Sequence, residues 1–213
     1  MSEPTQARRG RPPRPEEETR QALLQSAMDV LLEGGYEAAT MEAIAKRAAV
    51  AKKTVYRYAP NREALIGLAV RQWTDGYAST LQIEPRDADD VLTTLRAILD
   101  DICRHVLSDT AVRVFRLLSS EFPGKPEILA HYQRNGIERG QTLLADWLAK
   151  QASKGLVHAP APAELATVIL AMAVAEPLRQ RALGLMPAPP EGGVGAHLEA
   201  CMRVLARLLR PAA

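Results

Sequence analysis

The sequence predicts an all-α protein of about nine helices: an N-terminal three-helix unit containing a helix-turn-helix, then a larger helical bundle. Three observations carry that expectation. Apolar residues recur at three- and four-residue spacing along most of the chain, and no alternating strand pattern or internal repeat is present. Helix starts carry Pro, Thr, Asn or acidic residues, and helix ends carry Gly or Pro. The segment from Lys46 to Arg62 holds six basic residues (Lys46, Arg47, Lys52, Lys53, Arg57, Arg62) and no acidic one. With 213 residues, 47% of them hydrophobic, the chain is long enough for a real core and too apolar for global disorder.

Charge is unevenly placed. The formal net charge is only +2, so the protein as a whole is not a polycation. Of the 27 basic and 25 acidic residues, 11 and 9 lie up to Glu63, and 16 of each follow. The first part concentrates its cations in two short blocks.

The chain divides into an arm (1–15), a helix-turn-helix domain (16–60) and a helical domain (61–213). The arm has no periodicity and reads as disordered. Its Arg9-Gly10-Arg11-Pro12 is similar to an AT-hook core. Arg9 and Arg11 would then enter a narrow minor groove on a thin cationic strand. A flexible tail adding only nonspecific attraction fits the same residues. Pro15 and Glu16-Glu17-Glu18 start the first helix, with Pro in the first turn and acids on the dipole. Leu23, Leu24, Ala27, Met28, Val30 and Leu31 form its core face, and Gly34-Gly35 stop it.

Thr40 is placed to cap the next helix, with Glu42 in its first turn and Ile44, Ala45 and Ala48 on one side. Val50 is expected buried in the turn. The following helix, roughly Lys52 to Tyr58, turns Val55 inward. Pro60 ends it, and Asn61 caps the next helix with Glu63 in its first turn. The short Lys52–Tyr58 helix breaks local rules. Its lysines sit on the positive end of the dipole, which costs a few tenths of a kcal/mol each. Ala51 cannot cap it, a loss of about 1 kcal/mol. Such local errors mark functional sites, and a docked polyanion would reverse the lysine term. Thr54, Tyr56, Arg57 and Tyr58 add side chains that reach phosphates, sugars or base edges. A short basic surface helix in some other bundle is the plainer alternative.

Thr40-Met41-Glu42-Ala43-Ile44-Ala45, Val50, Thr54-Val55-Tyr56-Arg57-Tyr58 and Arg62-Glu63-Ala64-Leu65 resemble the N-terminal domain of the tetracycline-repressor (TetR/AcrR) family, as do Leu23-Leu24-Gln25-Ser26-Ala27 and Gly35-Tyr36. The match runs roughly from Arg20 to Val70. The chain departs from the family pattern at several points. Ala49 stands where the turn glycine is usual, Ala51 replaces a capping Ser, and Ala59 replaces an aromatic. Arg62 replaces a Lys, keeping the charge and improving phosphate geometry. The resemblance implies a DNA-binding regulator with Thr40, Lys52, Lys53, Thr54, Tyr56, Arg57, Tyr58 and Arg62 at the DNA, and the AT-hook-like arm would add Arg9 and Arg11. Ala49 leaves two outcomes open: an ordinary backbone, or strain.

Asn61 to about Thr80 reads as one lever-like helix with Leu65, Leu68, Ala69 and Trp73 on one face. Pro85 breaks the pattern. Helices follow at about 88–107, 110–121, 126–154, 162–183 and 196–209, with a kink expected at Pro177. The last carries Leu198, Met202, Leu205 and Leu208 or Leu209 inward. The helix at 162–183 is apolar nearly all round, and the final helix has little chain left to cover its face, so burial in a second copy is the simple solution. A four-helix homodimer interface is also what the resemblance implies. An interior hairpin in a monomer is the alternative.

The resemblance further implies an effector cavity among the middle helices. Trp73, Tyr77, His105, Phe115, Leu118, Phe122, Tyr132, Trp147 and Met172 are the candidate lining, with plain core packing as the competing role for each. An apolar lining would favour a small lipophilic effector.

Enzyme chemistry finds no footing. His105, His131, His158 and His197 make no metal-ligand spacing, no nucleophile elbow or phosphate loop is present, and the adjacent acid pairs diverge on helices. No cofactor or metal is expected. Cys103 and Cys201 read as buried free thiols in a reducing, cytoplasmic setting, and no apolar run approaches a membrane span of roughly 20 residues. The leading expectation is a ligand-responsive dimeric repressor. The alternatives are an architectural DNA binder without sequence choice, and a small-molecule-binding helical protein with a vestigial helix-turn-helix.

Overall fold

The computed structural model describes residues 15–121, 124–187 and 195–210. Among them every regular element is helical. Six helices come first: α1 (Glu16–Ala38), α2 (Met41–Arg47), α3 (Lys52–Tyr58), α4 (Arg62–Gly76), α5 (Asp90–Val106) and α6 (Asp109–Glu121). Then α7 spans residues 126–153, as Pro126–Tyr132 and Arg139–Ser153 joined by a π turn at Gln133–Glu138. Likewise α8 spans 162–182, as Pro162–Leu170 and Glu176–Ala182 joined by a π turn at Ala171–Ala175. The last, α9, is Gly195–Leu208.

Local chemistry explains the boundaries. The helical path of α1 breaks at Gly35, whose φ of 75° suits glycine, and one further turn runs to Ala38. The Asn61 side chain accepts from the Ala64 amide at 2.8 Å and starts α4. That helix ends at Gly76, earlier than its apolar spacing suggests. Tyr77 turns into the core there, and a short 3₁₀ turn at Thr80–Gln82 brings in Leu81. Pro177 acts through the π turn ahead of it. Proline lacks an N–H and crowds the carbonyl four residues back. That carbonyl, on Ala173, accepts from the Cys103 thiol at 3.5 Å, and the Met172 carbonyl takes the His197 Nε2 hydrogen bond at 2.8 Å.

Two cores form. The first joins Leu23, Leu24 and Met28 of α1, Ile44 of α2, Val55 of α3 and Leu65 and Ile66 of α4. It also takes Val114 and Leu118 from α6 and Ile128 from α7. The second holds Leu95, Ile98, Leu99, Leu144, Trp147, Ile169 and Leu205, with Tyr77 and Leu81 from just past α4. So α4 runs from one core to the other, as a lever should, while α6 clamps the first. The crossing of α4 on α7 is close: a Cβ on Gly67 would lie 3.0 Å from Asn135 and His131, and one on Gly140 would lie 2.8 Å from the Tyr77 hydroxyl.

Cys103 and Cys201 are buried and free, and burial pushes the Cys103 thiol up to about 12. In the last helix Leu209, just past its end, is the inward residue and Leu208 is exposed. Among the described residues no helix is long and apolar enough to cross a membrane, and no cluster of metal-ligating side chains exists.

Candidate nucleic-acid interface

The α2–α3 unit is built as its sequence suggests, with one cost. The Thr40 hydroxyl accepts from the Ala43 amide at 3.1 Å and caps α2. Val55 is fully buried and fixes α3 on the first core. Ala51 precedes α3 without a side-chain cap. The turn between the helices retains a left-handed residue: Ala49 has φ 55°, the one non-glycine with positive φ among the described residues. Its Cβ makes that conformation cost roughly 1–2 kcal/mol. Val50, expected to be buried, is only half-buried, because its amide is drawn to the Ala45 carbonyl at 3.0 Å.

The six cations of the block separate into two groups. Lys46, Lys52, Lys53 and Arg57 are exposed. Lys52 is not fully uncompensated, since its Nζ lies 3.7 Å from the exposed Glu42 carboxylate. Lys53 has no acidic partner among the described residues. Tyr56 is 49% exposed beside them, and Thr54 is half-buried. The Arg57 guanidinium lies 5.3 Å from the Tyr58 ring and donates to its hydroxyl, which holds its pKa up. The Tyr58 hydroxyl donates to the Glu16 carbonyl at 3.2 Å, which ties the C-terminal end of α3 to the start of α1. Arg9 and Arg11 lie outside the described residues.

Arg47 and Arg62 are instead paired within the protein, Arg47 at an exposed position and Arg62 half-buried. Arg47 makes a fork onto Glu33 at 2.5 and 2.6 Å, with Asp29 at 3.6 Å; the hydrogen bond from Arg47 holds the Glu33 carboxyl below its usual range. Arg62, expected at the DNA, is a half-buried packing residue, its side chain 24% exposed. Its guanidinium stacks on the Tyr36 ring at 3.7 Å and donates to the Tyr36 carbonyl and to Glu63, both at 3.0 Å. The Tyr36 hydroxyl donates to the same Glu63 carboxylate. Burial first, then Glu63, pushes the Tyr36 phenol up. For Glu63, burial works upward, but the Tyr36 and Arg62 hydrogen bonds outweigh it and the carboxyl falls.

Lys125, at the start of α7, covers the other face of Tyr36 at 3.8 Å and pairs with Glu37 at 2.7 Å. Arg113 of α6 donates to the Leu32 carbonyl at 2.9 Å. These two side chains bind the helix-turn-helix domain to the α6–α7 corner. Neither was legible as a site residue, because no local spacing links them to α1.

The candidate effector residues scatter. Trp73 and His105 line a cavity of about 770 Å³ between α1 and α4. Tyr77, Trp147, Phe115 and Met172 lie against the second core. Burial pushes the Tyr77 phenol up to about 12, and Trp147 donates to the Ile83 carbonyl at 3.1 Å. Leu118 and Tyr132 pack on the first core, and Phe122 lies outside the described residues. The cavity lining mixes glutamines and a carboxylate with apolar groups, unlike the apolar lining that the aromatic residues suggested.

A family model for bacterial regulatory proteins of the tetR family matches residues 23–68, and a model for the C-terminal domain of AefR-like transcriptional repressors matches residues 93–208. An uncharacterized HTH-type transcriptional regulator of Bacillus subtilis (strain 168), YdeS, is 46% identical over 61 residues; the match spans 29% of this chain and only 30% of that protein. Among solved structures, a Mesorhizobium loti MAFF303099 protein assigned to the TetR family superposes with a TM-score of 0.75 at 18% identity, covering 92% of this chain and 99% of that one. The flavonoid-responsive regulator FrrA gives 0.70 at 23% identity, covering 92% and 100%. At these identities the structural likeness carries the fold alone.

Proposed function

The chain belongs to the tetR family of bacterial regulatory proteins, and from that premise we propose a ligand-responsive repressor that binds a pseudo-palindromic operator as a homodimer in the cytoplasm. The observation that carries the DNA contact is the outward face of α3. Lys52, Lys53, Tyr56 and Arg57 are exposed there, on a helix that local electrostatics disfavours until phosphates arrive. Thr40 and Thr54 flank this surface, and Tyr58 positions it. Arg9 and Arg11, outside the described residues, add cations to the same end of the chain for phosphate or minor-groove contact. Arg62 contributes by tying the start of α4 to α1 through Tyr36, more than by contacting phosphate.

Dimerisation is supported by Val168 of α8 and Val204 and Leu208 of α9, about half-exposed apolar residues on the two helices that a second copy would cover. Two copies of α3 about one DNA turn apart then meet a two-fold site. Effector control follows if a ligand binds the DNA-free geometry more tightly than the DNA-bound one. The path is α4, with the α6–α7 corner gripping Tyr36 and Leu32 from the other side. Repression is supported by the AefR-like repressor model over residues 93–208.

Selection of bound genomic fragments, followed by fluorescence anisotropy on the recovered site, tests this reading. Saturable binding of one palindrome, far tighter than a scrambled duplex at the same salt, is expected. Equal affinity for both would replace the repressor with an architectural binder.

A further inference from the structure

We propose that the groove between α1 and α4 is a binding site for planar organic cations that carry N–H donors. Its volume is about 770 Å³. The chemistry of its wall is one-sided. Among the described residues Glu18 is its only carboxylate, and no Lys or Arg lines it. Gln21 and Gln25 each spend one amide N–H within α1, on Glu17 at 3.3 Å and on Asp29 at 2.8 Å. Their carbonyl oxygens, and that of Gln72, can accept from a ligand.

His105 closes one end and adds a further acceptor. Its Nδ1 meets the Asp101 carbonyl at 2.8 Å. A carbonyl cannot donate, so the proton sits on Nδ1, and in the neutral ring Nε2 is left with a lone pair. That nitrogen faces the groove at Gly76, where a Cβ would stand 3.3 Å away. Trp73 supplies an aromatic surface in the same wall, and Leu24 and Met28 an apolar floor. A carboxylate with no neighbouring Lys or Arg in the described lining, an imidazole lone pair and an indole face favour a flat cation with donors over an anion.

The site stands without the repressor reading; only its consequence rests on it. A ligand held by Glu18 and Gln25 on one wall and Trp73 on the other spans the joint between the DNA-reading unit and its lever. Binding is therefore measured on the full chain without DNA, so that loss of operator binding and loss of this site are separate results.

The test is calorimetric titration at low salt with three probes of one shape: 2-naphthamidine, 2-naphthamide and 2-naphthoate. The amidinium should bind about tenfold tighter than the neutral amide, and the carboxylate weaker still. Glu18→Gln should weaken the amidinium about fivefold and leave the amide unchanged. Trp73→Ala should weaken both about tenfold. Glu18 is exposed, so its variant folds and decides the question even where the Trp73 variant does not. Naphthoate binding as tightly as the amidinium, no response to Glu18→Gln, or no heat from any probe overturns the proposal.

Discussion

Two kinds of cation share the Lys46–Arg62 block, and the protein uses them in opposite ways. Lys46, Lys52, Lys53 and Arg57 stand in solvent on α2 and α3, while Arg47 and Arg62 are held against Glu33, Asp29, Tyr36 and Glu63. A run of positive charge is thus two devices. Within the outer group Lys52 and Lys53 cost the free protein stability at the start of α3, and on the proposed reading a polyanion reverses that cost. The inner group is already neutralised and holds α1, α2 and α4 in place. What separates them is whether a carboxylate or aromatic ring from a distant part of the chain arrives beside the side chain.

The largest test of that division is removal of the outer lysines. Lys52→Ala with Lys53→Ala should lower operator affinity about 100-fold, because a dimer loses four phosphate neutralisers, and should flatten the log–log salt slope by about four. Unfolding by urea should be unchanged or slightly harder, since the dipole penalty is relieved. An unchanged salt slope would mean that these lysines do not reach phosphate. The converse substitution probes the inner group. Arg62→Ala should cost about 2 kcal/mol of stability through lost stacking and hydrogen bonds, measured by urea denaturation. A variant as stable as the parent, with DNA binding abolished, would move Arg62 to the outer group.

The two alanines of the reading unit should give smaller effects. Ala49→Gly should stabilise by about 1 kcal/mol, since glycine adopts a φ of 55° without a Cβ penalty. Ala51→Ser should add about 1 kcal/mol by capping α3. A loss of stability in either would show that the alanine packs usefully.

The smallest effect separates the second domain from the first by pH. Glu84, held down to about 2 by hydrogen bonds from Lys150 and Lys154, joins the loop before α5 to α7. Its folded pKa lies below its unfolded value, so the unfolded chain binds more protons between about pH 4.5 and 2. Its contribution is therefore complete above pH 4.5 and is lost as the pH falls toward 2. Glu84→Gln should remove that slope from the acid side of the unfolding profile, lowering stability slightly at neutral pH and leaving pH 2 almost unaffected.

Much of this was legible before any coordinates. Thr40 and Asn61 act as caps, Val55 as the anchor of α3 and Pro60 as its end, because capping and periodicity act over three or four residues. Leu118 shows the opposite case. Its place on an apolar helix stripe fits a ligand wall and a domain core equally, and only the fold puts it on the core of the reading unit. Lys125 on Tyr36 has the same lesson: nothing near either residue announces the other.

From its sequence alone this protein fixes the nine helices of the described residues, most of their limits, the position of the reading unit and the family it belongs to, since those follow from short-range chemistry written in consecutive residues. The tertiary structure alone decides which cations meet a carboxylate or ring, that Ala49 takes a left-handed backbone, that α6 and α7 reach into the first core, and that Glu18 and Trp73 line one groove. Those properties depend on pairings across long stretches of chain, and a neighbour's charge or ring has no meaning for a side chain until folding brings the two within a few ångströms.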